Sequence, residues 1–159
     1  MNTDGAEVLM CRIVRQYSDM LLRLAFSRLQ TEADAEDCVQ DVFLKLLEKR
    51  PEFRDPEHEK AWLIRVTINR ASDLRKKAGK VASLEELPEK ETAEHPSVLS
   101  AVRQLPDKYA AILHLHYYEG YTLKEISKML ALPTATVGTR LNRGKARLKA
   151  ILEEEYDEF

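Results

Sequence analysis

Apolar side chains recur every three or four residues through most of the chain, and no segment alternates apolar and polar residues as a half-buried strand would. The first helical segment, residues 6–29, carries the apolar residues Leu9, Ile13, Tyr17, Leu21 and Leu24. A second begins at Thr31-Glu32-Ala33-Asp34, which resembles a capping box, and ends before Pro51. A third covers residues 57–78. The spacing predicts three amphipathic helices in the first half of the chain.

The helical pattern stops in residues 81–96. These residues include five glutamates and two prolines, a composition typical of a flexible linker whose like charges repel one another. The segment separates residues 1–80 from residues 97–155. The sequence therefore predicts an all-α fold of two small helical domains joined by a flexible acidic linker, the second domain containing a helix-turn-helix.

The helix-turn-helix is predicted from two consecutive capped helices near the end of the chain. The capping box Thr122-Leu123-Lys124-Glu125 begins a helix of about nine residues, and Thr134 caps a final basic helix. Two further helices, residues 97–105 and 107–118, precede them. A short helix, a tight turn and a longer basic helix are the parts of this DNA-binding motif.

The final helix separates its polar and apolar residues. Counted at roughly 100° per residue, five side chains share one sector, opposite the apolar Val137, Leu141 and Leu148. They are Thr136, Thr139, Arg140, Arg143 and Arg147. Arginines and short polar residues on one face suit base edges and phosphates in the major groove. A basic helix that only keeps the protein soluble is the alternative.

Two glycines, Gly138 and Gly144, interrupt this final helix. Each lowers helix stability by about 1 kcal/mol relative to alanine. We therefore expect the helix to be ordered in part by DNA.

Charge is divided into blocks that the formal net charge of -2 conceals. Residues 60–80 carry seven basic residues and one acidic residue, and residues 133–149 carry five basic residues and none that is acidic. Acidic segments lie between the two blocks. Two separate basic blocks favour two nucleic-acid contacts on one chain, although ordinary solvated faces would also explain them.

The basic block of the third predicted helix carries a polar stripe. Arg65, Asn69, Ser72 and Lys76 are spaced by four, three and four residues, which places them on one face with Trp62 at its edge. An aromatic ring beside arginine and asparagine suits stacking on unpaired bases. Trp62 as a core residue is the alternative.

The second predicted helix has an acidic face formed by Asp34, Asp37 and Asp41. Like charges at these spacings repel slightly, so the face favours a basic partner, with plain solvation as the alternative. A metal site is disfavoured because no Glu-x-x-His motif accompanies the carboxylates.

Several functional classes are excluded. None of the four histidines has an adjacent nucleophile, and no glycine-rich phosphate loop occurs. We therefore predict a protein that is not an enzyme and uses no cofactor. No apolar run approaches the length of a membrane span, and no secretory signal is found, so a cytoplasmic location without membrane insertion is expected. Cys11 and Cys38 are expected to be buried free thiols.

These motifs resemble the extracytoplasmic-function (ECF) sigma factors of the sigma-70 family. Residues 34–43 are similar to region 2.2, which binds core RNA polymerase, and residues 53–69 to regions 2.3 and 2.4, which melt the -10 element. Leu105-Pro106, residues 121–126 and residues 136–143 are similar to region 4, which reads the -35 element.

The resemblance implies roles for individual residues. Asp34, Asp37, Gln40 and Asp41 would contact the polymerase, and Arg54 would join Trp62, Arg65, Asn69, Ser72 and Lys76 at the -10 element. The arginine face of the final helix would contact the -35 element. The partners implied are core RNA polymerase, promoter DNA and an anti-sigma factor, with a monomer in the free state. The alternative is a stand-alone helix-turn-helix regulator of duplex operators.

Overall fold

The computed structural model describes residues 3–82 and 98–157, and within those ranges every regular element is helical. The N-terminal half consists of α1 (Thr3–Phe26), α2 (Glu32–Lys49) and α3 (Pro56–Ala82). The predicted cap of α2 is present, because the Thr31 hydroxyl accepts a hydrogen bond from the Asp34 amide at 3.1 Å. At its other end, Arg50 adopts a left-handed conformation that closes the helix.

The three helices of the N-terminal half pack around one apolar core. Its largest fully buried apolar side chains are Ile13, Leu21, Leu24, Val42, Leu63 and Ile64. Leu9, which the periodicity places on the apolar face of α1, is instead about half exposed, and Leu47 of α2 is exposed to a similar extent. Cys11 is also exposed, contrary to expectation, whereas Cys38 is buried.

The C-terminal half contains α4 (Val98–Arg103), α5 (Asp107–Leu113), α6 (Leu123–Leu130) and α7 (Thr134–Asp157). The capping box at the start of α6 has both reciprocal hydrogen bonds, from the Glu125 amide to the Thr122 hydroxyl and from the Thr122 amide to the Glu125 carboxylate, each at 3.1 Å. Ala131 follows α6 in a left-handed conformation and turns the chain into α7. The predicted helix-turn-helix is therefore α6, this turn and α7.

A π-helical turn replaces the end of the helix predicted over residues 107–118. Residues His114–Tyr118 form it after α5, and the Glu119 amide donates to the His114 carbonyl five residues earlier. Side-chain contacts stabilise the wider turn, since His114 stacks on Tyr118 with ring centroids 5.1 Å apart and lies 3.2 Å from a Glu119 carboxylate oxygen.

α3 continues through Ala82, so residues 81 and 82 of the predicted linker are helical, while the rest of it lies outside the described residues. α7 is a continuous helix through Gly138 and Gly144. The two halves contact each other, chiefly through α3 and α6.

None of the helices in residues 3–82 and 98–157 combines the length and the apolar composition that crossing a membrane requires.

Candidate nucleic-acid interface

The acidic face predicted on α2 is a continuous surface. Asp34, Asp37 and Gln40 are exposed, and Asp41 beside them is half-buried. The Asp41 carboxylate accepts a hydrogen bond from Arg70 of α3 at 2.8 Å, which neutralises part of the face from within the same half. Asp34 and Asp37 therefore provide most of the charge that this face offers to a partner.

Sequence reasoning missed the apolar end of the same face. Leu44 is 61% exposed and Leu47 is 48% exposed. Leu44 follows Asp37 by seven residues and Leu47 follows Gln40 by seven, so both lie on the acidic side of the helix. The seven-residue spacings could have indicated these two exposed leucines. A wider buried apolar stripe on α2 would give the same spacings, so the sequence alone did not distinguish the two arrangements. The two exposed leucines add apolar surface to the acidic face of α2.

The predicted stripe on α3 is present on one side of the helix. Asn69 and Lys76 are exposed, whereas Arg65 and Ser72 are half-buried. Ser72 is already engaged, because its hydroxyl donates to Asp107 of α5 at 2.8 Å. The structure therefore brings these four residues together but leaves only part of the stripe open to solvent.

Trp62 and Arg54 lie where the loop before α3 meets the helix. The Trp62 ring is half-buried and meets Phe53 edge to face, with ring centroids 5.9 Å apart. Arg54 is exposed, and its backbone amide donates to His58 at 3.2 Å, which ties the loop to the first turn of α3. Trp62 thus packs on the loop, as a core residue would, and also presents ring surface to solvent, as a residue that stacks on bases would.

The α7 face has the arrangement that periodicity predicted. Thr139, Arg143 and Arg147 are exposed, and Thr136 and Arg140 are half-buried. On the opposite side, Val137 is fully buried and Leu141 is 6% exposed, while Leu148 is half-buried. The Arg147 guanidinium lies over the Tyr109 ring of α5, 5.0 Å from its centroid, in a cation-π contact that holds it against α5.

A shallow groove between α5 and α7 adds a residue that periodicity and charge blocks did not indicate. Lys108 lines it together with Thr136, Thr139, Arg140 and Arg143. Lys108 lies outside both basic blocks, so only the packing of α5 against α7 reveals that it extends the positive face. Basic side chains from both α5 and α7 therefore line the groove, and positive charge of this kind is what contacts to phosphates need.

No group of three or more histidine, cysteine, aspartate or glutamate side chains within residues 3–82 and 98–157 is placed to hold a metal ion. Burial raises the pKa of the Cys38 thiol to about 12, so this cysteine stays protonated and unreactive near neutral pH.

Comparison with known families matches both halves of the chain. Residues 13–81 match sigma-70 region 2, and residues 96–148 match sigma-70 region 4. RNA polymerase sigma factor SigV of Bacillus subtilis is 28% identical over 94% of this chain and 94% of its own length. ECF RNA polymerase sigma factor SigM of Mycobacterium tuberculosis is 30% identical over 89% of this chain and 76% of its own length.

A solved structure has the same fold. It contains the sigma factor RpoE of Bartonella quintana in complex with the anti-sigma factor NepR, and the match has a TM-score of 0.68 at 22% identity, covering 89% of this chain and 95% of that one. The matches to regions 2 and 4 do not favour a stand-alone operator-binding regulator. The chain belongs to the sigma-70 family of RNA polymerase sigma factors, as a member of its ECF group.

Proposed function

We propose that this sigma factor binds core RNA polymerase through α2 and contacts two promoter elements through α3 and α7. The observation that carries this proposal is the separation of α7 into a buried apolar side and an exposed arginine side. In the proposed division, residues 1–80 bind the polymerase and the -10 element, residues 81–96 form the linker, and residues 97–155 bind the -35 element.

The polymerase-binding surface in this proposal is the acidic face of α2. Asp34, Asp37 and Gln40 would meet a basic partner surface, and Asp41 would contribute at its edge. Leu44 and Leu47 join these four residues because exposed leucines beside charged residues give an interface an apolar centre. Charge would guide the encounter, and apolar burial would slow dissociation.

The -10 element would be bound by α3 and the loop before it. Arg65, Asn69, Ser72 and Lys76 offer hydrogen bonds and positive charge along one side of the helix, and Arg54 adds a cation from the loop. Trp62 presents ring surface on which an unstacked base could lie. This combination of a basic track and an aromatic platform is typical of single-strand binding.

The -35 element would be bound by α7 lying in the major groove. Arg140 and Arg143 can pair bidentately with guanine or bind phosphate. Thr136 and Thr139 are short enough to let the helix approach the bases, although the Thr139 hydroxyl donates to the Ala135 carbonyl at 3.0 Å and presents mainly its methyl group. Arg147 would contact the backbone from its position over Tyr109.

The wider setting belongs to the same proposal. The protein would act in the cytoplasm as a monomer before it meets the polymerase, with no catalytic activity or cofactor of its own. An anti-sigma factor is inferred as a further partner, because the RpoE structure with the same fold was solved in complex with one.

Transcript mapping tests the proposal directly. The purified protein is mixed with sigma-free bacterial core polymerase and a genomic DNA library, and the 5′ ends of the transcripts are sequenced. We expect start sites that share one -10 and one -35 sequence. The Asp37→Arg variant should give fewer specific starts, because charge reversal in the acidic face of α2 should weaken binding to core polymerase. Core binding without specific starts would contradict promoter recognition, and failure to bind core would favour an operator-binding regulator.

A further inference from the structure

The start of α3 is capped by the residue that precedes it. The Asp55 carboxylate accepts a hydrogen bond from the His58 amide at 2.7 Å, and Pro56 occupies the first helical position. An aspartate cap followed by proline is a favourable helix start. The third helical position, where a capping box has glutamate or glutamine, is occupied here by His58.

The His58 side chain reaches back past the cap. Its Nδ1 atom accepts a hydrogen bond from the Arg54 amide at 3.2 Å. In a capping box the third side chain accepts from the amide of the cap residue itself, so here the acceptor reaches one residue further into the loop. A backbone N–H donates only to an unprotonated ring nitrogen, so this bond requires a neutral imidazole with its proton on Nε2.

The same imidazole contacts the neighbouring loop residue. Phe53 meets His58 edge to face, with ring centroids 5.6 Å apart and an interplanar angle of 87°. Phe53 also meets Trp62, with ring centroids 5.9 Å apart. His58 and Trp62 are four residues apart and share one side of α3, so the Phe53 ring packs against both. His58 thus holds two consecutive loop residues, one through its ring and one through Nδ1.

These contacts determine where the Arg54 side chain begins. That side chain is exposed, but the Arg54 amide is bonded to His58 and the preceding residue packs on Trp62. The Arg54 side chain therefore leaves the backbone one residue after the contact with the Trp62 ring. A loop that is already held in one conformation loses less conformational entropy on binding than a mobile loop, so it binds its ligand more tightly.

We propose that His58 is a positioning residue for the -10 element: its neutral imidazole holds residues 51–55 so that Arg54 and Trp62 meet the unpaired strand as one preformed site. This inference rests on the proposed function of α3 and the loop before it. In that site the Arg54 guanidinium binds a phosphate and the Trp62 ring stacks on an unpaired base, roles typical of single-strand binding. His58 acts through these two residues and needs no contact of its own with the DNA.

Three substitutions at position 58 separate the hydrogen bond from the ring contact. His58→Asn keeps an acceptor, because the asparagine Oδ1 atom takes the place of Nδ1, but it removes the ring. His58→Phe keeps a ring against Phe53 and has no acceptor. His58→Ala removes both. The matched control is Glu57→Ala, a truncation at an exposed position in the same turn of α3.

Amide hydrogen exchange in the free full chain, followed by nuclear magnetic resonance, tests the hydrogen bond itself. Arg54 is an exposed residue, so its amide exchanges rapidly unless an acceptor protects it. We expect slow exchange in the parent, His58→Asn and Glu57→Ala, and exchange about five-fold faster or more in His58→Ala and His58→Phe. Fast exchange in the parent, or equally slow exchange in all the variants, would overturn the role of Nδ1.

The second measurement is base unstacking during open-complex formation. Each variant is assembled with core polymerase on a promoter found by transcript mapping, in which 2-aminopurine replaces an adenine of the -10 non-template strand. The fluorescence of this base rises when it unstacks. We expect His58→Ala and His58→Phe to form open complexes about three- to ten-fold more slowly than the parent. His58→Asn and Glu57→Ala should stay within about two-fold of the parent.

Rescue by asparagine is the decisive result, because a purely structural role of the ring would not be restored by an amide. Equal rates in all the variants, or equal slowing by His58→Asn and His58→Ala, would overturn the positioning role. His58→Phe and His58→Ala both remove the acceptor, so if one of them loses the helical circular dichroism of the parent, the other decides. If the parent formed no open complexes, the proposed function would fail, while amide exchange would still decide whether His58 holds the loop.

Discussion

Gly144 of α7 lies so close to Tyr109 of α5 that a Cβ atom at position 144 would be 3.1 Å from the Tyr109 Cβ and 3.2 Å from a Leu113 methyl carbon. The absence of a side chain thus allows α7 to pack tightly on α5. The same approach places Tyr109 beneath Arg147 of the proposed -35 surface. Glycine lowers the intrinsic stability of the helix, but at position 144 it permits this close packing without displacing Tyr109 or Leu113.

The two glycines of α7 should respond oppositely to added side chains. Gly144→Val forces apart two packed helices, so the free energy of unfolding should fall by about 1–3 kcal/mol. At Gly138 an added Cβ atom would have no neighbouring atom within 4 Å, so Gly138→Ala should raise the free energy of unfolding by up to about 1 kcal/mol through helix propensity. Urea denaturation measures both. Equal effects of the two substitutions would contradict the packing argument.

Charge reversal at Asp37 should weaken binding to core polymerase. Its carboxylate is exposed at the centre of the acidic face of α2, so Asp37→Arg should lower the affinity about ten-fold or more, equivalent to about 1.4 kcal/mol. Titration of labelled protein against core polymerase gives the affinity. Glu7→Arg, the same change at an exposed residue of α1, is the control and should bind normally. Loss of DNA binding in parallel would indicate misfolding.

Leu44 tests the apolar part of the same surface. Because it is 61% exposed in the free protein, Leu44→Ala should leave the free energy of unfolding within about 0.5 kcal/mol of the parent. Core polymerase affinity should fall about five-fold or more, chiefly through faster dissociation. Surface plasmon resonance separates the two rates. Unchanged dissociation would exclude Leu44 from the interface.

Much of the fold could be predicted because its signals are local. Helical periodicity and the caps at Thr31 and Thr122 depend on residues within a few positions of one another, and the all-α, two-domain prediction is confirmed. The π turn was not predicted, since five residues are too few to show a periodicity different from that of the α-helix before them. Arg28 and Asp107 are 79 positions apart, and nothing in their own surroundings indicates that they pair.

The candidate surfaces, like the fold, could be predicted where the signal is local and could not where it depends on tertiary packing. The face of α7 follows from angular position alone, and so does the acidic part of α2. Lys108 was missed because it joins the α7 groove only through tertiary packing. Ser72 was correctly placed on its stripe, but its bond to Asp107 could not be foreseen. The residue roles themselves stay predictions.

Acid should destabilise the fold through His114. Burial lowers its pKa below the ordinary 6.5, so below that pH the unfolded chain binds a proton that the native protein does not. The free energy of unfolding is therefore highest above pH 6.5 and falls as the pH is lowered, by at most about 1.4 kcal/mol per pH unit for this group. Urea denaturation at three pH values measures the slope: the ordinary histidine pKa, about one pH unit above it and about one pH unit below it.

Two substitutions distinguish the contribution of His114 to this pH dependence from that of Glu119. His114→Gln should flatten that slope, because glutamine does not titrate. Glu119→Gln should retain it, because removing the carboxylate that raises the His114 pKa leaves burial to act alone. Burial raises the pKa of Glu119, but the hydrogen bonds and charges of Arg23 and His114 together outweigh burial and keep that pKa below 4.5, so its own contribution is lost only at lower pH. A parental slope in His114→Gln would assign the acid sensitivity elsewhere.

Arg143 provides the sharpest test of the -35 surface. Its side chain is exposed on α7 beside the groove, so Arg143→Ala should weaken promoter binding by about 1–3 kcal/mol. If Arg143 contacts a base, Arg143→Ala should show a relaxed base preference at one -35 position. If Arg143 contacts a phosphate, the salt dependence of promoter binding should fall by about one counterion. Competition binding across single-base promoter variants at two salt concentrations distinguishes them. Arg15→Ala on α1 is the control, and equal binding by both variants would remove Arg143 from the interface.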